Sequence, residues 1–342
     1  MHLWLSRTTQ DPPPPPQCPH QPRDMGGARL LVIAALLFHH LLCCSATSMR
    51  ICAFNIQRFG ETKAAKSSVM STLVKILLRY DICLLQEIQD IKEKTIPRLV
   101  EELNRSHKSE LFQYLSSEPL GRSSYLEKYV FIYRSDKAKV LDSYIYEDNH
   151  PTSVDVFARE PYIVRFSLPT TAIKDLVLVP QHTTPSDAVK EIDALYDVFL
   201  DIQKRWNAQS IIFLGDFNAG CDYVAKKNWP LIRLRMEPGF HWLIGDDADT
   251  TVKKNRSCAY DRIVVYGEKC YKAVIPGSAG IFDFLNKFGL LEIEGLEISD
   301  HYPVEVELSR AKSLMLQNWL FILVALVSAF SLGCFELTIQ TR

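Results

Sequence analysis

The body of the chain alternates short extended apolar runs with segments in which apolar residues recur at helical spacing. Apolar runs bounded by turn residues are typical of buried strands, and helical spacing predicts covering helices. The predicted strands are 50–56, 81–86, 129–133, 162–167, 176–180, 211–214, 262–265 and 304–308, and the predicted helices are 63–79, 95–104 and 186–206. The aromatic stripe of the last helix, with Tyr196 and Phe199, is assigned to the core. No internal linker divides residues 49–309, so the pattern predicts one α/β domain.

The amino terminus contains two different segments. Residues 1–24 are polar, carry a proline run and predict a disordered extension. Residues 25–48 begin with a second methionine, continue through Arg29 into the apolar stretch 30–42 and end in small residues, which is typical of a secretory signal peptide. This pattern predicts that translation starts at Met25 and that the mature chain begins near Met49. An uncleaved signal anchor is the alternative.

The carboxyl-terminal segment 310–342 combines a polar spacer with the apolar stretch 319–335. It fits either a lipid-anchor signal that is removed from the mature protein or a short transmembrane helix. The polar ending 336–342 counts somewhat against the anchor signal. Both interpretations predict a membrane-attached protein of the secretory pathway, located in the endoplasmic reticulum lumen or at the cell surface.

The composition is that of an ordinary globular protein, with 47% hydrophobic and 23% charged residues. The 39 Lys and Arg nearly cancel the 40 Asp and Glu, which excludes a generic polycation. Any contact with nucleic acid must therefore come from a local basic patch. The candidates are Lys226, Lys227, Arg233 and Arg235, and then Lys253, Lys254 and Arg256, although each cluster taken alone is more often a solvated face.

Export from the cell makes the cysteines and two glycosylation sequons interpretable. Cys52 and Cys83 lie inside apolar strand patterns, which predicts buried thiols. Cys221 follows GDFNAG and Cys258 precedes AYDRI, so a disulfide between them would join two motif loops. The sequons at Asn104 and Asn255 predict N-linked glycans in the same compartment.

Four short motifs, LLQE, GDFN, YDRI and SDH, each place an acid or a histidine at the end of an apolar run. Phosphodiester hydrolysis needs a cation, a base for water, an acid for the leaving oxygen, and donors to the phosphate. Glu87 with Asn55 offers the hard oxygen ligands that Mg²⁺ prefers. Asp216 and Asn218, which share one face, can bind metal or phosphate, and Arg159 is a donor suited to phosphate.

Two histidines have candidate carboxylate partners. His301 can be oriented by Asp261, and His182 by Glu127, which would provide one base and one acid. A lone histidine at a strand end is more often structural, and an acid after a strand is more often a turn residue. The prediction of catalysis therefore depends on the pairing.

These residues and their order resemble secreted deoxyribonuclease I and its relatives. The matching strings are RICAFNI, DICLLQE, GRSSYLEKYVFIYR, VFAREPY, LVPQHTTPSDAVKEIDALYDVF, LGDFNAGC, CAYDRIVV and ISDHYPVEVEL, and the apolar tail looks like that of the membrane-associated, DNase X type branch. The resemblance implies an α/β four-layer sandwich of two packed β-sheets flanked by helices. It also implies a monomeric DNA endonuclease that depends on Mg²⁺ (or Mn²⁺) and Ca²⁺ and leaves 5′-phosphate ends.

The resemblance also assigns roles to individual residues. Asn55, Glu87, Asp216, Asn218 and Asp300 would form the metal and phosphate site, His301 with Asp261 the water-activating pair, and His182 with Glu127 the leaving-group pair. Tyr125 and Arg159 would contact the DNA backbone, Asp155, Phe157 (through its carbonyl) and Glu160 would bind a structural calcium ion, and Cys221 would pair with Cys258.

The chain also departs from the family pattern. Gln89 occupies the position of the family's minor-groove arginine, and residues 148–155 lack the cysteine loop of the digestive enzyme. Actin binding is not expected from the resemblance. Two alternatives stay open from the sequence: a phosphodiesterase of the same fold acting on a lipid or inositol-phosphate head group, and a membrane-displayed binding protein whose site is silent. Retention of both histidines and the acids argues against a silent site.

Overall fold

The computed structural model describes residues 48–107, 111–148, 155–255 and 257–311. The first six strands are β1 (Met49–Phe59), β2 (Ile82–Ile88), β3 (Phe112–Ser116), β4 (Lys128–Arg134), β5 (Lys139–Ile145) and β6 (Tyr162–Ser167). They are followed by β7 (Asp175–Pro180), β8 (Ile211–Asp216), β9 (Phe240–Trp242), β10 (Asp261–Tyr266), β11 (Gly280–Ile281) and β12 (Val304–Leu308). The helices are α1 (Glu61–Ala64), α2 (Ser67–Leu77), α3 (Thr95–His107), α4 (Ala188–Trp206), α5 (Arg233–Met236), α6 (Glu268–Ala273), α7 (Phe284–Phe288) and α8 (Glu292–Ile298), with 3-10 turns at Pro185–Asp187 and Lys226–Leu231.

The strands form two six-stranded mixed sheets, in the orders β11-β12-β1-β2-β4-β3 and β5-β6-β7-β8-β10-β9. Successive residues of a strand face opposite sides, so a strand covered on both sides is apolar throughout. In β1, Ile51 and Ala53 pack in the core between the sheets, whereas Cys52 and Phe54 pack toward the helices. A third core lies between the second sheet and α4. The predicted four-layer sandwich is therefore confirmed.

Differences from the predicted elements lie at the edges. The single predicted helix 63–79 is two helices, α1 and α2, separated at Ala65 and Lys66. The strands β3 and β5 were missed because they are edge strands whose residues are mostly exposed or half-buried, so they lack a continuous apolar run. The short strands β9 and β11 and the four helices α5 to α8 also escaped the pattern.

The cysteines behave as the sequence predicts. Cys221 and Cys258 form a disulfide with a Cα–Cα distance of 5.8 Å, which joins the loop after β8 to the loop before β10. Cys52 and Cys83 are buried free thiols on neighbouring strands. The two sequons differ in structure: the Asn104 side chain donates to and accepts from the backbone of Phe112, whereas Asn255 is exposed in a turn.

The predicted terminal segments lie almost wholly outside the described residues. These are the extension 1–24, the signal peptide 25–48 apart from Ser48, and the carboxyl-terminal segment 310–342 apart from Arg310 and Ala311. A search of the described part of the chain finds no helix with the length and apolarity needed to cross a membrane.

Candidate active site

One rim of the sandwich collects the polar ends of the central strands. Because β1 and β2 are parallel, and β7 and β8 are parallel, their carboxyl ends open on the rim where antiparallel β10 begins. The residues brought there are Asn55, Glu87, His182, Asp216, Asp261 and His301. All but Glu87 are buried.

Gln86 links the two sheets beneath this rim. Its side-chain nitrogen donates to the Gln181 carbonyl at 2.7 Å, and its side-chain oxygen accepts from the Asp216 backbone nitrogen at 2.9 Å. Gly215, with φ of +132°, leaves space for this amide: a Cβ at that position would lie 2.3 Å from the Gln181 oxygen. The strands that carry His182 and Asp216 are thereby fixed relative to β2.

Each histidine is held by a buried carboxylate. His182 Nδ1 is 2.5 Å from Glu127 Oε1, and His301 Nδ1 is 2.7 Å from Asp261 Oδ2. The Nε2 atom of each ring lies 3.6 Å from the same atom, Oδ2 of Asp216. The two imidazoles thus face one another across a single carboxylate oxygen, a separation that one phosphate group can bridge.

The carboxylates also set the charge of the rings. Burial alone would lower the pKa of His301, but Asp261 and Asp216 outweigh it and raise that pKa well above its usual value. The pKa of His182 is raised in the same way, against burial, by Glu127. Burial would raise the pKa of Glu127, yet His182 and Arg159 hold it below its usual value. The raised pKa values favour the protonated imidazolium form of both rings, with Nδ1–H directed at the carboxylate partner.

Glu87 is fixed by three donors. Asn55 Nδ2 donates to Oε1 at 2.9 Å, and the Arg58 backbone nitrogen and the Tyr125 hydroxyl donate to Oε2 at 3.0 and 3.2 Å. Asn55 Nδ2 also lies 3.2 Å from Asp216 Oδ2, while its oxygen accepts from Gln57 N. Asn55 was predicted to offer an oxygen ligand. Its amide nitrogen faces the acids instead, because the Gln57 amide occupies the oxygen.

Two further predicted residues are engaged within the protein. The Asn218 side chain donates to the Thr183 carbonyl at 3.0 Å, and its backbone nitrogen donates to Asp216 Oδ1. Arg159 was predicted to contact DNA, but its side chain is only 11% exposed and its Nε lies 3.0 Å from Glu127 Oε1. Its main role in this structure is to support the pair of Glu127 and His182.

A cleft of about 730 Å³ opens beside Glu87. Its lining includes Tyr125, Asp300 and three cations that the sequence interpretation missed, namely Arg58, Lys63 and Lys66. The Arg58 guanidinium lies 5.9 Å from the centre of the Tyr125 ring, and within the described residues it makes no hydrogen bond or ion pair. The basic residues from the end of β1 to the start of α2 were visible in the sequence, but nothing in their spacing pointed to a cleft.

The donor set of this rim fits a hard divalent cation. Glu87 and Asp300 both line the cleft, and Asp300 Oδ1 lies 4.0 Å from His301 Nε2. Ligand atoms of Asp216, Asp261 and His301 also lie within 4.8 Å of one another, although the ring nitrogen nearest Asp261 is already hydrogen-bonded to it. Lys63 lines the same cleft as these two acids, and burial lowers the pKa of its ammonium to about 8, against the opposing influence of Asp300 and Glu87.

A second acidic cluster lies at Asp148, Asp155 and Glu160, whose carboxylate oxygens are within 4.8 Å of one another. Asp155 and Glu160 were predicted from the sequence together with Phe157, and Asp148 was missed. Asp148 Oδ2 accepts from the backbone nitrogens of Val156 and Phe157 at 2.8 Å, which ties the end of β5 to this loop. The sequence offered no signal for that contact.

The two predicted basic patches differ. Arg233 pairs with Asp193 and Asp197, and Arg235 pairs with Asp246, so the first patch is largely neutralised. Lys253 and Lys254 are exposed on the loop that hydrogen-bonds through Val252 to the Asp300 backbone. Lys253 and Lys254 therefore lie beside the rim that carries His301, whereas Arg256 lies outside the described residues.

Comparison with known proteins places this rim in a family context. Residues 52–301 match the model of the Endonuclease/Exonuclease/phosphatase family. The chain is 51% identical over 267 residues to Deoxyribonuclease-1 of Sus scrofa, covering 78% of this chain and 93% of the relative. It is 52% identical over 264 residues to Deoxyribonuclease-1-like 1 of Cricetulus griseus (77% and 85%), and 49% identical over 269 residues to Deoxyribonuclease gamma of Rattus norvegicus (78% and 87%).

Solved structures with low sequence identity share the fold. An endonuclease/exonuclease/phosphatase family protein from Leptotrichia buccalis superposes with a TM-score of 0.53 at 14% identity, covering 76% of this chain and 99% of that one. The human Nocturnin catalytic domain with bound sulfate gives a TM-score of 0.52 at 16% identity, covering 77% and 94%. At such identities the similarity concerns the architecture alone.

Proposed function

This chain belongs to the endonuclease/exonuclease/phosphatase family and, within it, to the deoxyribonuclease I group, and from that premise we propose a divalent-metal-dependent DNA endonuclease that leaves 5′-phosphate ends. One observation carries the proposal. Two imidazoles, each held by its own buried carboxylate, face the same oxygen of Asp216. This arrangement suits proton transfer to and from opposite sides of one phosphate.

In the proposed mechanism His301 acts in its neutral form, which a divalent cation held by Glu87 and Asp300 would favour by opposing the positive charge of the imidazolium. Oriented by Asp261, its Nε2 takes a proton from the attacking water. His182, oriented by Glu127, gives its Nε2 proton to the leaving 3′ oxygen, so the water oxygen stays on the phosphate and a 5′-phosphate end results. Glu87 and Asp300 would hold Mg²⁺ or Mn²⁺, which supplies positive charge against the developing negative charge. Asn55 directs amide hydrogens toward the same region.

DNA contacts are proposed for the cleft beside Glu87. The Tyr125 hydroxyl lies against Glu87, and the Arg58 guanidinium above that ring is available for a phosphate. Lys253 and Lys254 follow Val252, whose amide donates to the carbonyl of Asp300, and they offer further positive charge near the rim. The relatives at 48 to 52% identity are named deoxyribonucleases, so the alternative of a lipid or inositol-phosphate head group has no specific support.

Omitting each metal in turn tests the proposal. Purified protein with supercoiled plasmid is expected to nick DNA with Mg²⁺ or Mn²⁺, and the rate should fall by at least about 10²-fold with chelator, because no cation then offsets the phosphate charge. Ligation of the products without prior kinase treatment reports the 5′-phosphate ends. Full activity in chelator, or 3′-phosphate products, would contradict the proposal.

A structural role is proposed for Ca²⁺ at Asp148, Asp155 and Glu160, since a buried and two partly exposed carboxylates converge there. The ion would neutralise their mutual repulsion and hold the end of β5 against Arg122 and the Glu160 loop. No catalytic step is assigned to it.

We further propose that the chain enters the secretory pathway as a monomer and attaches to membrane through its carboxyl-terminal segment. The disulfide between Cys221 and Cys258 supports an oxidising compartment. Asn255 is proposed as the glycosylated sequon, because the Asn104 amide is engaged by Phe112. This revises the prediction that both sequons carry glycans.

Expression of the full chain in secreting animal cells tests the proposed localisation and membrane attachment. Amino-terminal sequencing is expected to begin near Met49, glycosidase treatment should shift the wild type and Asn104→Gln but not Asn255→Gln, and a phosphatidylinositol-specific phospholipase would release a lipid-anchored form. Retention of residues 30–42 would refute cleavage of the signal. Resistance to the phospholipase would favour the transmembrane alternative.

A further inference from the structure

The pairing of β1 with β2 is interrupted by a bulge between Asn55 and Phe59, and the bulge, called the Gln57–Arg58 turn below, has an unusual backbone. Gln57 and Arg58 have φ values of +45° and +51°, and neither is a glycine. Glu87, on the neighbouring strand, has φ of +57°. Residues with side chains rarely adopt this left-handed region unless surrounding contacts hold them there.

The amides of this turn point at the candidate metal site. Gln57 N donates to Asn55 Oδ1 at 2.9 Å, and Arg58 N donates to Glu87 Oε2 at 3.0 Å. The left-handed conformation of two successive residues is what allows neighbouring amides to reach Asn55 and Glu87. If the turn relaxed to ordinary extended backbone, both hydrogen bonds would be lost.

Lys63 holds the opposite side of the same turn. Its ammonium donates to the carbonyls of Ile56 and Gln57, at 2.9 and 2.7 Å. Lys63 lies in α1, which starts directly after the turn, so its side chain folds back over the residues that precede the helix. Within the described residues, no carboxylate forms an ion pair with this ammonium. One of its hydrogen bonds goes to the carbonyl of left-handed Gln57, and the other goes to the carbonyl of the residue before it.

We propose that Lys63 is a positioning residue that clamps the Gln57–Arg58 turn, so that the turn amides orient Glu87, directly and through Asn55, for the divalent ion. This inference rests on the proposed metal-dependent function. A clamping role and a purely electrostatic role predict opposite changes in the affinity for the divalent ion when Lys63 loses its ammonium. A cation beside Glu87 and Asp300 repels a divalent ion, so loss of its charge alone would tighten metal binding. Loss of a clamp would loosen it.

Calorimetric titration with Mn²⁺ shows whether the affinity for the ion rises or falls, and it does not require DNA cleavage. Lys63→Met keeps the length of the side chain and removes the ammonium, and it is expected to weaken Mn²⁺ binding about tenfold. Lys66→Met is the matched control. Lys66 lines the same cleft, but its ammonium pairs with Glu297 at 3.1 Å rather than with backbone carbonyls, so its Mn²⁺ affinity should be unchanged or slightly tighter.

A rescue variant separates clamping from a folding defect. Glycine adopts a positive φ at no steric cost, so Gln57→Gly in the Lys63→Met background is expected to restore Mn²⁺ affinity to within about threefold of the Gln57→Gly single variant. Melting temperatures of all variants are measured in parallel.

Four outcomes would overturn the inference: unchanged Mn²⁺ affinity in Lys63→Met, tighter affinity, no rescue by glycine, or weakening that merely follows a fall in melting temperature. If the wild-type protein cleaves DNA and binds Mn²⁺, and Lys63→Met binds Mn²⁺ equally well, only the clamp is refuted. Wild-type protein that takes up no divalent ion refutes both the clamp and the metal dependence of the proposed function.

Discussion

Replacing either histidine of the rim with alanine is expected to reduce DNA hydrolysis by about 10²- to 10⁴-fold, the usual contribution of a positioned acid or base. His182 and His301 each present Nε2 at 3.6 Å from Asp216 Oδ2, so each variant removes one of the two proton-transfer groups. The double variant is expected to lose little more than the worse single variant, because the two groups act in one displacement. Initial rates on supercoiled plasmid at saturating Mg²⁺ measure the effect.

His241→Ala is the matched control for this prediction. His241 lies on the edge strand β9, where its ring stacks on Tyr271 with centroids 3.8 Å apart, far along the sheet from the strand ends that form the rim. Its loss should change the rate by less than about threefold, in keeping with a residue outside the chemistry. Retention of a tenth or more of the wild-type rate by either His182→Ala or His301→Ala, in protein with an unchanged melting temperature, would exclude the proposed acid and base roles.

The central strands were predictable because the sandwich covers them on both faces. Cys52 and Phe54 pack toward the helices, and Ile51 and Ala53 pack between the sheets. The sequence of β1 is therefore one apolar run up to Asn55. A strand that is apolar throughout and ends in a polar residue delivers that residue to the rim. The positions of Glu87 and Asp216 follow from the same logic.

Other parts of the site depend on contacts that no local pattern records. Asp148 joins Asp155 and Glu160 only because β5 ends beside that loop, and β5 is an edge strand without an apolar run. Arg159 lies in a bend before β6, where its side chain contacts Glu127 and the carbonyl of His182, two residues that are distant from it in sequence. The left-handed backbone of Gln57 and Arg58 could not be predicted from the sequence either, because the residue types that favour this conformation are glycine, asparagine and aspartate.

Gly215→Ala is expected to destabilise the fold by roughly 2–4 kcal/mol and to lower the activity of the protein that stays folded. The added Cβ would lie 2.3 Å from the Gln181 oxygen and 2.6 Å from Gln86 Nε2, and φ of +132° is strained for alanine. Relief of those contacts requires the Gln181 carbonyl and the Gln86 side chain to move, which breaks the hydrogen bonds of Gln86 to Gln181 and Asp216. The link between β2 in the first sheet and the second sheet, which carries both His182 and Asp216, is then lost.

Gly277→Ala isolates the backbone contribution to that effect. Gly277 also has a positive φ, +74°, but an added Cβ there meets no atom within 4 Å, so only conformational strain of about 1 kcal/mol is expected. Urea unfolding of both variants, with plasmid nicking measured on the folded fraction, separates steric displacement from strain. If Gly215→Ala loses no more stability than Gly277→Ala and cleaves DNA at the wild-type rate, the Gln86 link does not hold the two halves of the rim in register. The relative placement of the imidazoles and Asp216 would then have to come from the Cys221–Cys258 loops or from the packing between the sheets.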